Sequence, residues 1–160
     1  LMFAPIESVA TGRVVARPPR TFYDTMVVSL PLGHQVVVGD RAMFEGILLG
    51  EVEKISKEVV LVSLYSSPRS QFDARVGNPS AIVVVSGTGG GSFTFEVPSD
   101  VVLRAGDTVV ASFDDTVPLA VVSGVVSRPD TTTQTVYARI PVSFSDIRYI
   151  SFIRAHTDDL

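Results

Sequence analysis

The sequence has no cysteine, no tryptophan and only two histidines, His34 and His156. Without cysteine there is neither a disulfide nor a thiolate metal ligand, and two imidazoles are too few for a transition-metal centre. Long hydrophobic runs are also missing: no stretch approaches the ~18 apolar residues that a membrane-crossing helix requires. Excess positive charge is lacking, since 13 Lys and Arg against 17 Asp and Glu give a net charge of −4. That balance argues against an electrostatic nucleic-acid footprint. Only Lys54 and Lys57 are lysines, and the eleven arginines are scattered through the chain, so they read as single solvated charges on strand faces.

What the sequence does have is valine, 28 of them in 160 residues. β-Branched side chains fit a pleated, half-buried surface better than a helix. Ten prolines and twelve glycines cut the chain into short pieces and leave no room for a long helix. The expected fold class is all-β.

One pattern occurs twice. Residues 38–52 carry Gly39-Asp40, an apolar strand, a turn at Gly46 and a returning strand with Gly50-Glu51-Val52. About 67 positions later the chain repeats Gly106-Asp107, an apolar strand, a polar turn and a return with Gly124-Val125-Val126. A duplicated strand–turn–strand unit predicts two similar small β-domains. Glycine followed by aspartate suits a turn, because one tolerates positive φ and the other bonds nearby backbone N–H groups. Gly50 and Gly124 lie inside β-branched runs, where glycine marks a bulge or a close backbone approach.

Strands are expected at 12–16, 24–30, 41–44, 47–55, 58–65, 72–76, 81–86, 92–97, 107–112, 119–127, 135–142 and 149–154. Twelve strands, six per copy, predict two small six-stranded barrels in tandem, and closure removes exposed edges. Residues 1–10 are expected to be the tail of an upstream segment, 11–80 the first barrel and 81–160 the second. Exchange of the first or last strand between barrels is compatible with the pattern, so the boundary near 80 is soft. Gly87–Gly91 reads as a flexible connection. A helical turn capped by Ser145 or Asp146 is expected before the last strand.

No catalytic residue, cofactor site or metal site is expected. Gly87-Thr88-Gly89-Gly90-Gly91 is followed by the alternating Ser92–Val97, whereas a phosphate-binding loop opens a helix. Small barrels also form serine proteases, but neither histidine has a serine in a suitable setting, and both read as solvated loop residues. Asp114-Asp115 lacks calcium-loop spacing and reads as solvated.

The ordered motifs resemble the extracytoplasmic β-domain of the rod shape-determining protein MreC family. Gly39-Asp40 and the run Glu45-Gly46-Ile47-Leu48-Leu49-Gly50-Glu51-Val52 match the family's first turn and return. Ser66-Ser67-Pro68-Arg69-Ser70, Gly87–Gly91, Gly106-Asp107-Thr108-Val109-Val110-Ala111-Ser112 and Asp146–Ile153 follow in the family's order. The second hairpin departs from it: Phe113-Asp114-Asp115-Thr116-Val117 stands where relatives carry glycines, although Pro118 and Gly124 are kept. The resemblance implies a non-enzymatic scaffold for cell shape at the periplasmic face of the inner membrane. It implies anchoring by an upstream membrane helix and coiled coil, which accords with a chain that opens on Leu1. Implied partners are an elongation-specific penicillin-binding protein, MreD, the MreB-type cytoskeleton and further copies of the chain. Candidate contacts are the hairpin tips, Phe44 in the first barrel and Phe113, Val117 and Pro118 in the second. The competing reading is the β-rich part of a periplasmic adaptor of an export pump, which also repeats Gly-Asp turns but has lipoyl-like symmetry that this chain lacks.

Overall fold

The computed structural model describes residues 8–77, 80–114 and 117–155. Its strands are β1 (Ser8–Ala16), β2 (Thr25–Ser29), β3 (Arg41–Phe44), β4 (Ile47–Ser56), β5 (Val59–Leu64) and β6 (Gln71–Val76). They continue as β7 (Ala81–Gly89), β8 (Ser92–Pro98), β9 (Thr108–Ala111), β10 (Ala120–Ser127), β11 (Thr133–Arg139) and β12 (Tyr149–Ile153). Each expected strand is present, with ends moved by a few residues.

The strands close into two six-stranded barrels, ordered β1-β12-β3-β4-β5-β2 and β10-β11-β8-β7-β6-β9. In both, alternate residues fill the interior. Phe93, Phe95 and Val97 of β8 and Val136 and Ala138 of β11 are buried, as are Val60, Val62 and Leu64 of β5. The period of two in the sequence therefore becomes an inside and an outside.

Matching the two rings shows a reciprocal exchange. β3 pairs with β4 as β9 pairs with β10, so β12 holds in the first barrel the place that β6 holds in the second. The sixth strand of each copy thus completes the other copy's barrel. The expected division at residue 80 is corrected accordingly: the first barrel is β1–β5 with β12, and the second is β6–β11. Residues 8–10 likewise belong to β1 rather than to an upstream tail. Strand pairing overrides chain order here because a barrel needs only a sixth strand of the right pattern, and β12 buries Ile150 and Phe152 completely in the first barrel.

Gly39 and Gly106 have φ of +94° and +95°, the left-handed conformation that their turns require. The Gly-rich segment is not the flexible connection expected. Gly87 belongs to β7, and a Cβ there would stand 2.2 Å from the Ser67 carbonyl oxygen. The following turn is fastened by N–H groups of Gly89 to the Ser66 carbonyl (2.7 Å), of Gly90 to Asp24 Oδ1 (2.9 Å) and of Gly91 to Ser66 Oγ (3.2 Å). The helical turn expected at Ser145 or Asp146 is a 3-10 turn, Phe144–Asp146, whose N-cap is Ser143 with no side-chain capping bond. No helix among the described residues is long and apolar enough to cross a membrane.

Candidate interaction surface

The chain passes between barrels twice, through 65–70 and through 140–148, and the first crossing builds a cleft. Tyr65 follows β5 and anchors its backbone N–H on the Leu49 carbonyl at 2.9 Å. Its ring packs against Phe72 of the second barrel at 5.8 Å and Phe113 at 5.3 Å between centroids, and Phe72 meets Phe93 edge-on at 6.1 Å. Such tilted aromatic pairs add to the apolar area they bury.

Arg41 of β3 reaches across the same seam. Its Nη1 lies 2.9 Å from Asp114 Oδ2, with both side chains largely shielded from water, and its guanidinium stands 4.8 Å from the Phe113 ring centre. Beyond Phe113, the Pro118 carbonyl accepts the Leu48 N–H at 3.0 Å. The second hairpin is therefore a clasp on the first barrel. This changes the expected role of Asp114, which is held by Arg41 rather than solvated. Asp115 lies outside the described residues.

The resulting cleft encloses about 820 Å³, walled by Arg41, Glu51, Tyr65, Arg69, Phe72 and Phe113 among others. Burial pushes the Tyr65 phenol far above its usual range; the Glu51 carboxylate adds to this and the Arg41 guanidinium opposes it. The phenolic oxygen is buried beside the Arg41 guanidinium, which is the polar group that faces it. The cleft thus combines charges of both signs with aromatic rings. Among the described residues no group of acids and histidines is placed to hold a metal ion.

The residues singled out from the sequence separate into framework and surface. Gly46 follows Glu45 at the β3–β4 turn, both with positive φ (+78° and +48°), as a tight hairpin requires. Gly50 lies at a register shift and against the Ser63 carbonyl, while Gly124 lies at a register shift facing open space. Asp40 is buried and takes Arg154 Nε at 2.8 Å, and Asp107 bonds within its own turn. Of the expected contact residues, Val117 is buried, and Phe44 and Pro118 are half-buried. Phe113 stays 40% exposed at the mouth of the cleft. His34 is a clip: its Nε2 lies 2.6 Å from the Lys57 carbonyl, to which it donates, and Nδ1 accepts the Val36 N–H at 3.3 Å. It is therefore engaged rather than a freely solvated loop residue. His156 falls outside the described residues.

A second surface escaped the sequence reading. Ile82 and Val84 of β7 project outward at 68% and 52% exposure, on the same barrel wall as exposed Tyr137 of β11. Between them runs β8, whose Thr94 pairs with Tyr137 and with Ser86. On the other side β6 sets Arg75 opposite Ile82 and Asp73 opposite Val84, so these exposed apolar side chains stand among polar ones. The signal for this surface was the unbroken run Ala81-Ile82-Val83-Val84-Val85, which reads as a strand buried on both faces.

Comparison with known proteins places this architecture. Residues 14–154 match the family model described as "Rod shape-determining protein MreC, barrel core". No curated protein sequence matches the chain. Among solved structures, MreC from Pseudomonas aeruginosa is similar at 18% identity, with 92% of this chain and 99% of that chain covered and a TM-score of 0.79. MreC from Listeria monocytogenes is similar at 19% identity, over 93% and 78% of the two chains, with a TM-score of 0.72. A complex between penicillin-binding protein PBP2 and MreC from Helicobacter pylori contains a chain that is 12% identical over 90% and 96%, with a TM-score of 0.57.

Proposed function

Because the chain belongs to the MreC family of rod shape-determining proteins, we propose that it is a non-enzymatic scaffold that organises the cell-wall elongation machinery through contacts made by its two barrels. The observation that carries this reading is the family match across nearly the whole double barrel, residues 14–154. The proposed principal partner is an elongation-specific penicillin-binding protein, supported by the similar fold of the MreC chain in the Helicobacter pylori complex. Contacts with MreD and the MreB-type cytoskeleton, and association between copies, belong to the same proposal. So does an extracytoplasmic location with an upstream membrane anchor.

Partner contact is assigned to the outward face around Ile82, Val84 and Tyr137 and to the cleft mouth at Phe113. Apolar side chains left in water on a folded barrel are the groups that association would cover. Two variants test this in a pull-down with an elongation-class penicillin-binding protein. Ile82→Asp with Val84→Asp is expected to weaken capture at least ten-fold, and Phe113→Ala to weaken it less. Capture unchanged by either variant would rule out both surfaces, and no capture by the unmodified chain would remove this partner from the reading.

A further inference from the structure

Two pairs of arginines from distant parts of the sequence, Arg13 with Arg17 and Arg139 with Arg148, line one trench. Arg13 points outward from β1 opposite Tyr149 of β12, and the neighbouring Val14 N–H donates to the Arg148 carbonyl at 2.8 Å. Arg148 is therefore held beside the Arg13–Tyr149 pair. Arg17, just beyond β1, donates from Nη1 to the Ser145 carbonyl at 3.2 Å, which fixes it across the trench. Arg13, Arg17, Arg148, Ser145 and Tyr149 wall a depression of about 280 Å³. Ser145 is shared with an adjoining depression of about 410 Å³ that contains Arg139.

No carboxylate lines either depression. Neither of the ion pairs seen among the described residues involves these four arginines. On a chain of net charge −4 this is a concentrated positive site, with exposed Asp146 beside Ser145 as its neighbouring carboxylate along the chain. Guanidinium forks match the oxygens of a phosphate in pairs, and the Tyr149 and Ser145 hydroxyls supply further donors of the same kind. Arg17 is already ordered by its bond to Ser145, so binding costs less side-chain entropy. The first depression suits a phosphate group, whereas an acidic protein surface needs several times more contact area.

We propose that this trench is an anion site that takes a phosphate group, carried by an anionic lipid headgroup or free in solution. The proposal stands apart from the scaffold reading and does not depend on it.

The test uses the 160-residue chain in two arms, with Arg13→Gln/Arg148→Gln as the site variant and Arg128→Gln as a remote charge control. Both altered arginines of the site are exposed, so thermal denaturation should show the variant folded. In the first arm, inorganic phosphate should shift the amide resonances of residues 13, 148 and 149, and the site variant should bind at least ten-fold more weakly. In the second, vesicles of phosphatidylglycerol in phosphatidylcholine are compared with phosphatidylcholine alone by co-sedimentation. Sedimentation that needs the anionic lipid and is lost in the site variant identifies a headgroup, whereas phosphate shifts without sedimentation identify a soluble phosphate. Three results overturn the proposal: no response in either arm, equal weakening by Arg128→Gln, or tighter binding of an oligoglutamate peptide than of phosphate.

Discussion

Asp40 and Asp107 are one structural residue built twice. Each carboxylate accepts through Oδ2 the N–H of the residue three positions earlier, Val37 at 2.9 Å and Arg104 at 2.8 Å. Each carbonyl accepts an N–H from the returning strand at 2.8 Å, from Val52 and Val122 respectively. The turns they close differ only in surroundings, because Asp40 is buried and also meets Arg154.

The twin turns should therefore respond alike to a change of backbone and unlike to a change of side chain. At Gly39 and Gly106 a Cβ would meet nothing within 4 Å, so alanine is penalised by conformation alone. We expect Gly39→Ala and Gly106→Ala each to cost about 1–2 kcal/mol. Asp40→Ala should cost more than Asp107→Ala, by about 1 kcal/mol, since Asp40 is buried and also holds Arg154. Urea unfolding of the four variants measures both comparisons.

Gly50 and Gly124 sit in equivalent returning strands but should part company. A Cβ at Gly50 would lie 2.2 Å from the Ser63 carbonyl oxygen, whereas one at Gly124 meets open space. Gly50→Ala should cost more than about 3 kcal/mol, as expected for overpacking against backbone. Gly124→Ala should be neutral or stabilising by about 0.5 kcal/mol through the unfolded chain. Thermal melts of the two variants decide.

The exchanged strand makes the chain's end essential to its beginning. Phe152 is fully buried in the first barrel, so Phe152→Ala should cost about 3–5 kcal/mol. Hydrogen exchange should show protection falling first in β1–β5 and β12, with β7, β8 and β11 protected longer. Equal loss in both barrels would mean that they unfold as one unit.

The seam should depend on Arg41. Its replacement by methionine leaves Asp114 without that partner in a shielded setting and removes the contact with Phe113. A cost of about 3 kcal/mol is expected, the usual result of breaking one side of a shielded pair. Changing Arg41 to Met and Asp114 to Leu together should recover part of it, as read from denaturant midpoints.

Tyr65 makes stability fall in strong alkali. Its phenol stays protonated in the folded chain above the ordinary value of 10.0, while the unfolded chain ionises there. The folded state then binds more protons, so this contribution is intact below pH 10 and is lost as pH rises beyond it, by about 1.4 kcal/mol per unit. Tyr65→Phe should flatten that decline and, because the hydroxyl it removes interacts only with Arg41, should change stability at neutral pH by no more than about 1 kcal/mol. Unfolding at pH 7 and pH 11 tests both statements.

The twelve strands and the doubled Gly-Asp turn were legible because they rest on local chemistry: alternating β-branched residues, and glycines at positive φ. The motif order was legible for the same reason and pointed to the family. Other features were not. Nothing local distinguishes Phe113 as an exposed tip from Phe113 as a clasp, since the difference is the presence of Arg41 and Tyr65, separated from it by 72 and 48 residues respectively. Arg13 and Arg148 looked like isolated surface charges for the same reason.

Local residue pattern is enough to make this protein of short strands, to set one turn twice, and to withhold the residues for thiolate or multi-histidine chemistry. Which strand completes which barrel, how the second hairpin locks the two together, and that scattered arginines share a trench emerge from the folded chain. Period and turn preference act over a few neighbouring residues, whereas barrel closure and charge proximity depend on pairing across the whole chain.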